Sequence, residues 1–178
     1  SAVKQLTPWI DKRLAEVARQ RALLADRGDT LPYLGDTLTL IPEPGRTRVA
    51  RRGAGLHVPA DPEARAAALE RWYRRQAARE IAPRLDAATR TLGVGYTRLT
   101  IRAQKTRWGS CSEKGAMSFN WRLLLGPADV LDYVVWHEAC HRVHMDHSPR
   151  FWALLEEHFP GYREPKAWLR ANGGTLVL

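Results

Sequence analysis

Residues 137–141 read His-Glu-Ala-Cys-His, and this pentad constrains the fold more than any other stretch. Side chains four residues apart share one face of an α-helix, with Cβ atoms about 5–6 Å apart, so His137 and His141 can close on one metal ion only if the segment is helical. Glu138, one residue past the first imidazole, is then placed to reach a water on that ion and take its proton. An apolar run from Val130 to Trp136, interrupted only by Asp132, leads into the pentad, and four of the six histidines lie between 137 and 147. The chain must therefore bury a helix that carries its chemistry at one end.

Metal-assisted hydrolysis usually takes three protein ligands and leaves one position open. His144 lies seven residues beyond His137, about 10.5 Å along a continued helix, which is awkward for a single tetrahedral centre. His147 is better placed if the helix ends near His144 and the chain turns back. The interval from the pentad to His147 equals that of the metzincins, where a glycine makes the turn. His144 occupies that glycine position, and histidine tolerates positive φ, so a left-handed turn there is expected. No Met-turn is identifiable downstream.

Around this helix the sequence alternates between helical and strand-like patterns. Leu6, Ile10, Leu14, Val17 and Leu24 give Lys4–Ala25 the spacing of an amphipathic first helix. Short β-like runs follow at 31–34, 37–41, 47–50 and 56–58, punctuated by Gly and Pro as antiparallel strands would be. Asp61-Pro62-Glu63 starts a long helix whose stripe runs from Leu69 to Leu92, with Pro83 expected to kink or split it. Residues 97–103 alternate as a half-buried strand. The loop Gln104-Lys105-Thr106-Arg107-Trp108-Gly109-Ser110-Cys111-Ser112 follows, and Ala116–Asn120 reads as a second strand paired with the first. Beyond the pentad, Ser148-Pro149 opens one helix and Pro160-Gly161 separates a last one containing Tyr162, Trp168 and Leu169. These patterns give an α+β chain, expected as one domain over 1–178, with a helix and β-rich part at 1–60 and a helical part bearing the site at 61–178.

Composition sets the outer limits. A chain of 178 residues with 44% hydrophobic content can bury an ordinary core without cross-links. Its two cysteines, Cys111 and Cys140, are far apart, so a disulfide framework is not expected and a reducing, cytoplasmic setting is. Neither a secretory apolar core nor a membrane-spanning run is visible. The net charge of +9 rests on 28 basic residues of which only five are lysine. Arg71, Arg74, Arg75 and Arg79 form a basic ridge that reads either as a solvated helix face or as a phosphate-binding surface for nucleic acid or nucleotides.

Several stretches together resemble the YgjP-like metal-dependent hydrolases, a metallopeptidase family neighbouring the SprT-like zinc peptidases. They are Pro8-Trp9-Ile10, Tyr33-Leu34-Gly35, Arg107-Trp108-Gly109-Ser110-Cys111-Ser112, Asn120-Trp121-Arg122-Leu123 and Asp132 through His141, with His144, His147-Ser148 and Phe151-Trp152. The resemblance implies a zincin-like fold, with a small antiparallel sheet packed against the HExxH helix and further helices. It also implies one zinc ion held by His137, His141 and His147, with Glu138 as base. Where the family pattern commonly has Leu and Asn, this chain has Ala139 and Asp146, and Asp146 is positioned to orient an imidazole. Arg107, Trp108, Ser110, Asn120 and His144 are further candidates for substrate contact or for support of the ligands, and Arg107, His144 and Tyr162 for stabilising an oxyanion.

Three functions fit these residues. A zinc-dependent peptidase acting on peptide or protein, with DNA association suggested by the basic ridge and the SprT-like resemblance, comes first. A metal-dependent pyrophosphohydrolase of nucleoside triphosphates such as UTP is the alternative. A nucleic-acid-binding module with an inactive site comes third, because it leaves Glu138 without a task. An edge strand near the helix, expected at Ala116–Asn120, would pair with an extended peptide.

Overall fold

The computed structural model describes residues 2–104 and 107–178, with side chains from Pro8 onward. Among the described residues, two small sheets and five α-helices share one apolar core. The first sheet orders its strands β1 (Thr30–Tyr33), β2 (Asp36–Glu43), β4 (Gly55–Pro59) and β3 (Ala50–Arg52). β1 and β2 form a hairpin through Leu34 (φ 49°) and Gly35 (φ 93°), the two positive φ angles that a tight primed turn demands. β3 and β4 pair antiparallel, but β2 and β4 run parallel, so the expectation of antiparallel neighbours throughout fails at that pair. The run expected at 47–50 enters a strand only at Ala50, because the turn at Gly53 (φ 59°) sets the register that pairs Ala50–Arg52 with β4.

Helix α2 (Pro62–Thr91) is the beam of the molecule. Asp61 caps it by accepting from the Ala64 amide at 2.7 Å, and Pro62 sits in the first turn where its missing N–H costs nothing. Its buried stripe includes Trp72, Tyr73, Ala77, Ile81 and Leu85. Pro83 neither splits nor ends it, and the Arg84 side chain on the same turn donates to the Glu80 carbonyl at 2.8 Å. Of the basic ridge, Arg74 is bound to Glu70, while Arg71, Arg75 and Arg79 are exposed.

Helix α1 (Ala2–Arg27) departs from the amphipathic expectation. Ile10, Leu14 and Leu24 are exposed instead of core-facing, as is Trp9, and the Leu6 side chain lies outside the described residues. Polar contacts to the C-terminal end hold the helix: Gln20 donates to the Gly174 carbonyl at 2.5 Å and Arg27 to the Val177 carbonyl at 2.6 Å.

The second sheet orders β5 (Arg98–Arg102), β7 (Ala116–Asn120) and β6 (Gly109–Cys111). β7 pairs with β5 as expected, but in parallel, and with β6 in an antiparallel hairpin, so the sheet beside the HExxH helix is mixed rather than antiparallel. β7 is therefore its centre, and the edge nearest the site is β6, a correction to the expected edge at Ala116–Asn120. A 3-10 turn, Trp121–Leu125, leads into α3 (Ala128–Cys140), whose apolar face packs on α2 and whose end meets β6. Helices α4 (Pro149–His158) and α5 (Arg163–Asn172) cover α3 from the other side. Among the described residues, no helix is long and apolar enough to cross a membrane.

Candidate metal centre

Helix α3 ends one residue before the second histidine. His141 keeps right-handed helical torsions (φ −64°, ψ −16°), so the four-residue spacing still puts its ring beside that of His137. The next three residues close a helical turn, with the Val143 and His144 amides both donating to the Cys140 carbonyl at 3.0 Å. The chain then doubles back, bringing His147 in just ahead of α4. His144 has no positive φ, so the reversal is made by a tight right-handed turn instead of a left-handed residue.

The three Nε2 atoms converge: His137 to His141 at 3.2 Å, His141 to His147 at 3.1 Å, and His147 to His137 at 3.0 Å. Nitrogens held about 2.0–2.1 Å from one tetrahedral ion would lie about 3.3 Å apart, so the triangle has the dimensions of one face of a tetrahedral shell, three of its four positions. Chemistry agrees with geometry. The His141 Nδ1–H donates to the His144 carbonyl at 3.0 Å, which leaves the Nε2 lone pair pointing inward. Burial first, then the neighbouring imidazoles and Lys166, drives the His137 pKa down to about 3, and burial likewise lowers His141. Neutral rings with converging lone pairs repel one another until a cation sits between them, and the donor set fits a metal.

Aromatic rings fix this triangle from behind. Phe151 stacks on His141 with centroids 4.5 Å apart and meets His137 and His147 edge-on, while Trp152 lies flat against His147. Tyr162 stacks on Trp152 and Tyr133 and is buried behind the rings, outside the cavity in which it was expected to meet an oxyanion.

Glu138 points the other way, toward β6. Its carboxyl is buried, and desolvation lifts its pKa to about 8 against the opposing pull of Arg107. Gly109 lies so close that a Cβ built there would come within 2.6 Å of Glu138 Oε1. This glycine, Cys111 and Met145 line the cavity with the histidines, and none of the three was singled out from the sequence as a site residue. The legible signal for Gly109 was its place in the Arg-Trp-Gly-Ser stretch.

The remaining expected residues divide by position. Arg107 and Ser110 line the cavity, and Ser110 Oγ is bonded to Ser118 Oγ at 2.7 Å. Trp108 faces away, against Gly173. Asn120 is buried and holds the loop, donating to the carbonyls of Gln104 at 2.7 Å and Arg107 at 3.3 Å. His144 acts through its main-chain carbonyl, not its ring. Asp146 accepts from the Ser148 amide at 3.3 Å, a local turn at the start of α4, and makes no hydrogen bond to an imidazole among the described residues.

With that geometry in view, comparison with known proteins gives a family. Residues 1–172 match the YgjP-like, metallopeptidase domain. The chain belongs to the YgjP-like metallopeptidases. No curated protein sequence matches it. Among solved structures, this YgjP-like domain is similar to the metallopeptidase zymogen abylysin of Pyrococcus abyssi, with 24% identity and a TM-score of 0.47 over 52% of this chain and 93% of that one.

Proposed function

We propose that the protein is a zinc-dependent peptidase in which His137, His141 and His147 hold one ion and Glu138 is the general base. The observation that carries this reading is the triangle of Nε2 atoms, 3.0–3.2 Å on a side, with a buried carboxyl one residue from its first corner. An all-imidazole set with an open face suits zinc better than a hard cation. When bound, the ion supplies Lewis acidity and lowers the pKa of a water toward about 7. Glu138 accepts that water's proton and returns it to the departing amine, its carboxyl occupying the space that the missing side chain of Gly109 leaves open. Arg107, at the rim of the cavity, tempers the cost of ionising Glu138 and is available to a substrate carbonyl.

The substrate reading comes from β6. Its β7-facing side is paired, its other side is a sheet edge, and it borders the same cavity of about 260 Å³. An extended peptide added to that edge would pass Glu138 with its backbone hydrogen-bonded in register. A nucleoside triphosphate carries about four negative charges at neutral pH, and the cavity offers it one arginine, Arg107, so peptide is preferred.

Metal analysis of protein purified without added metal, with assays of wild type and Glu138→Gln on casein and on nucleoside triphosphates, tests the reading. One zinc per chain and casein cleavage abolished by the substitution are expected. Absence of a transition metal would overturn the site; triphosphate cleavage in place of casein cleavage would overturn the substrate.

A further inference from the structure

A cavity of about 690 Å³ lies away from the metal centre, between α1 and the C-terminal turn. Lys12 and Arg13 enter it from α1, Arg122 from the 3-10 turn and Arg170 from α5, against one acid, Glu16. Two indoles, Trp9 and Trp108, stand at its wall, and Trp9 is 66% exposed. Gln104 lines this cavity and also the next depression, of about 290 Å³, on the outer face of the second sheet. Its Oε1 is buried and has no hydrogen-bond partner among the described residues.

That second depression has its own pattern. β-pairing aligns Thr100, Ser118 and Ser110 across three strands, giving a row of hydroxyls, with Arg98 and Arg102 one pleat to either side. Among the described residues none of Lys12, Arg13, Arg98, Arg102, Arg122 and Arg170 is in an ion pair. Six unneutralised cations along two joined depressions, with hydroxyls and two indoles between them, match what a polyanion with flat bases requires: charge to follow the backbone and aromatic faces for stacking. A duplex hides its base faces and leaves the indoles without a stacking partner.

We propose that this track, from the α1 cleft across Gln104 to the Arg98 and Arg102 face, binds single-stranded nucleic acid. The track is separate from the α2 ridge, and it does not depend on the metal chemistry. Trp9 supplies a stacking face, and the six cations take phosphates.

Anisotropy titrations with a labelled oligothymidine, a duplex of the same length and heparin test it on the intact protein. At low salt the oligothymidine is expected to bind at least tenfold tighter than the duplex. Its log–log salt slope should be about −4 if six phosphates are neutralised, since a single strand gives about −0.7 per contact. Arg98→Gln with Arg102→Gln should weaken binding at least tenfold and flatten that slope by about 1.4. Trp9→Ala should weaken binding about tenfold and Trp9→Phe restore most of it. Arg71→Gln, Arg75→Gln and Arg79→Gln together should change little. No binding at low salt, equal affinity for duplex or heparin, or a loss confined to the ridge variant would each overturn the proposal. None of these outcomes bears on zinc content or casein cleavage.

Discussion

At the scale of single residues, the site turns on how close one backbone comes to one carboxyl. Gly109 gives Glu138 the room that any side chain would take, because even a methyl there lands 2.6 Å from Oε1. Gly109→Ala is therefore expected to displace the Glu138 carboxyl while leaving the three histidines, on α3 and the loop after it, where they are. Zinc content should stay at one per chain and kcat/KM on casein should fall at least 100-fold, about 2.7 kcal/mol of lost transition-state stabilisation. Retained activity would mean that Glu138 does not act from this position. Behind the rings, Phe151→Ala removes a buried aromatic that touches all three imidazoles, and should cost about 3–5 kcal/mol of stability in denaturant unfolding, with weakened metal retention. The pentad and His147 were readable because helical spacing and a short return loop are local properties. Trp108 and Asn120 were assigned to the site because they neighbour it in sequence, yet the loop sends one to the far wall and uses the other as an internal fastener. Which side of a loop a residue faces is decided by partners remote in sequence.

Among elements, the hairpin β6–β7 has to be fixed against the end of α3, and one side chain does most of that. Arg142, the residue after His141, donates to the Gly95 carbonyl at 2.8 Å and to the Glu113 carbonyl at 2.9 Å, joining the loop before β5 and the hairpin turn to the ligand-bearing segment. Its guanidinium lies against Gly115, where φ is 79° and a Cβ would come within 3.2 Å of it. Arg142→Gln removes two charge-assisted hydrogen bonds, so a loss of about 2–3 kcal/mol in denaturant unfolding is expected. KM for casein should rise more than kcat falls, because the proposed peptide-binding edge shifts while Glu138 stays on α3 and the histidines stay on α3 and the loop after it. Equal falls in both would indicate that the chemistry itself is disturbed. Neither this brace nor β6 could be seen in the sequence. Gly109-Ser110-Cys111 is too short to show alternation, and the parallel pairing of β5 with β7 leaves no mark on either strand alone. The long helix α2 was legible because its apolar stripe and capped start are internal to it, whereas in α1 the same periodicity gave the helix but not the surface it meets.

Over the whole molecule, both sheets and helix α3 are referred to α2, and three phenols help to fasten them. Tyr73 donates from α2 to the Pro32 carbonyl in β1 at 2.6 Å, Tyr33 donates from β1 to Glu80 at 3.0 Å, and Tyr96 donates to Asp86 at 2.7 Å from the loop before β5. Each bond requires the neutral phenol. Burial, then the Glu80 carboxylate, pushes Tyr33 up to about 12, with Arg51 and Arg84 drawing it back. The Asp86 hydrogen bond, then burial, pushes Tyr96 to about 12, and burial raises Tyr73 as well. The unfolded chain ionises its tyrosines near pH 10, so between about pH 10 and 12 it releases protons that the folded chain keeps. The stabilisation from these groups is thus complete below pH 10 and is lost as pH rises through 12. A denaturant midpoint that is level up to pH 10 and then falls steeply is expected, with tyrosinate absorbance rising together with loss of the circular dichroism signal. Tyrosinate appearing in full while the helical signal persists would show that α2 is held without these phenols.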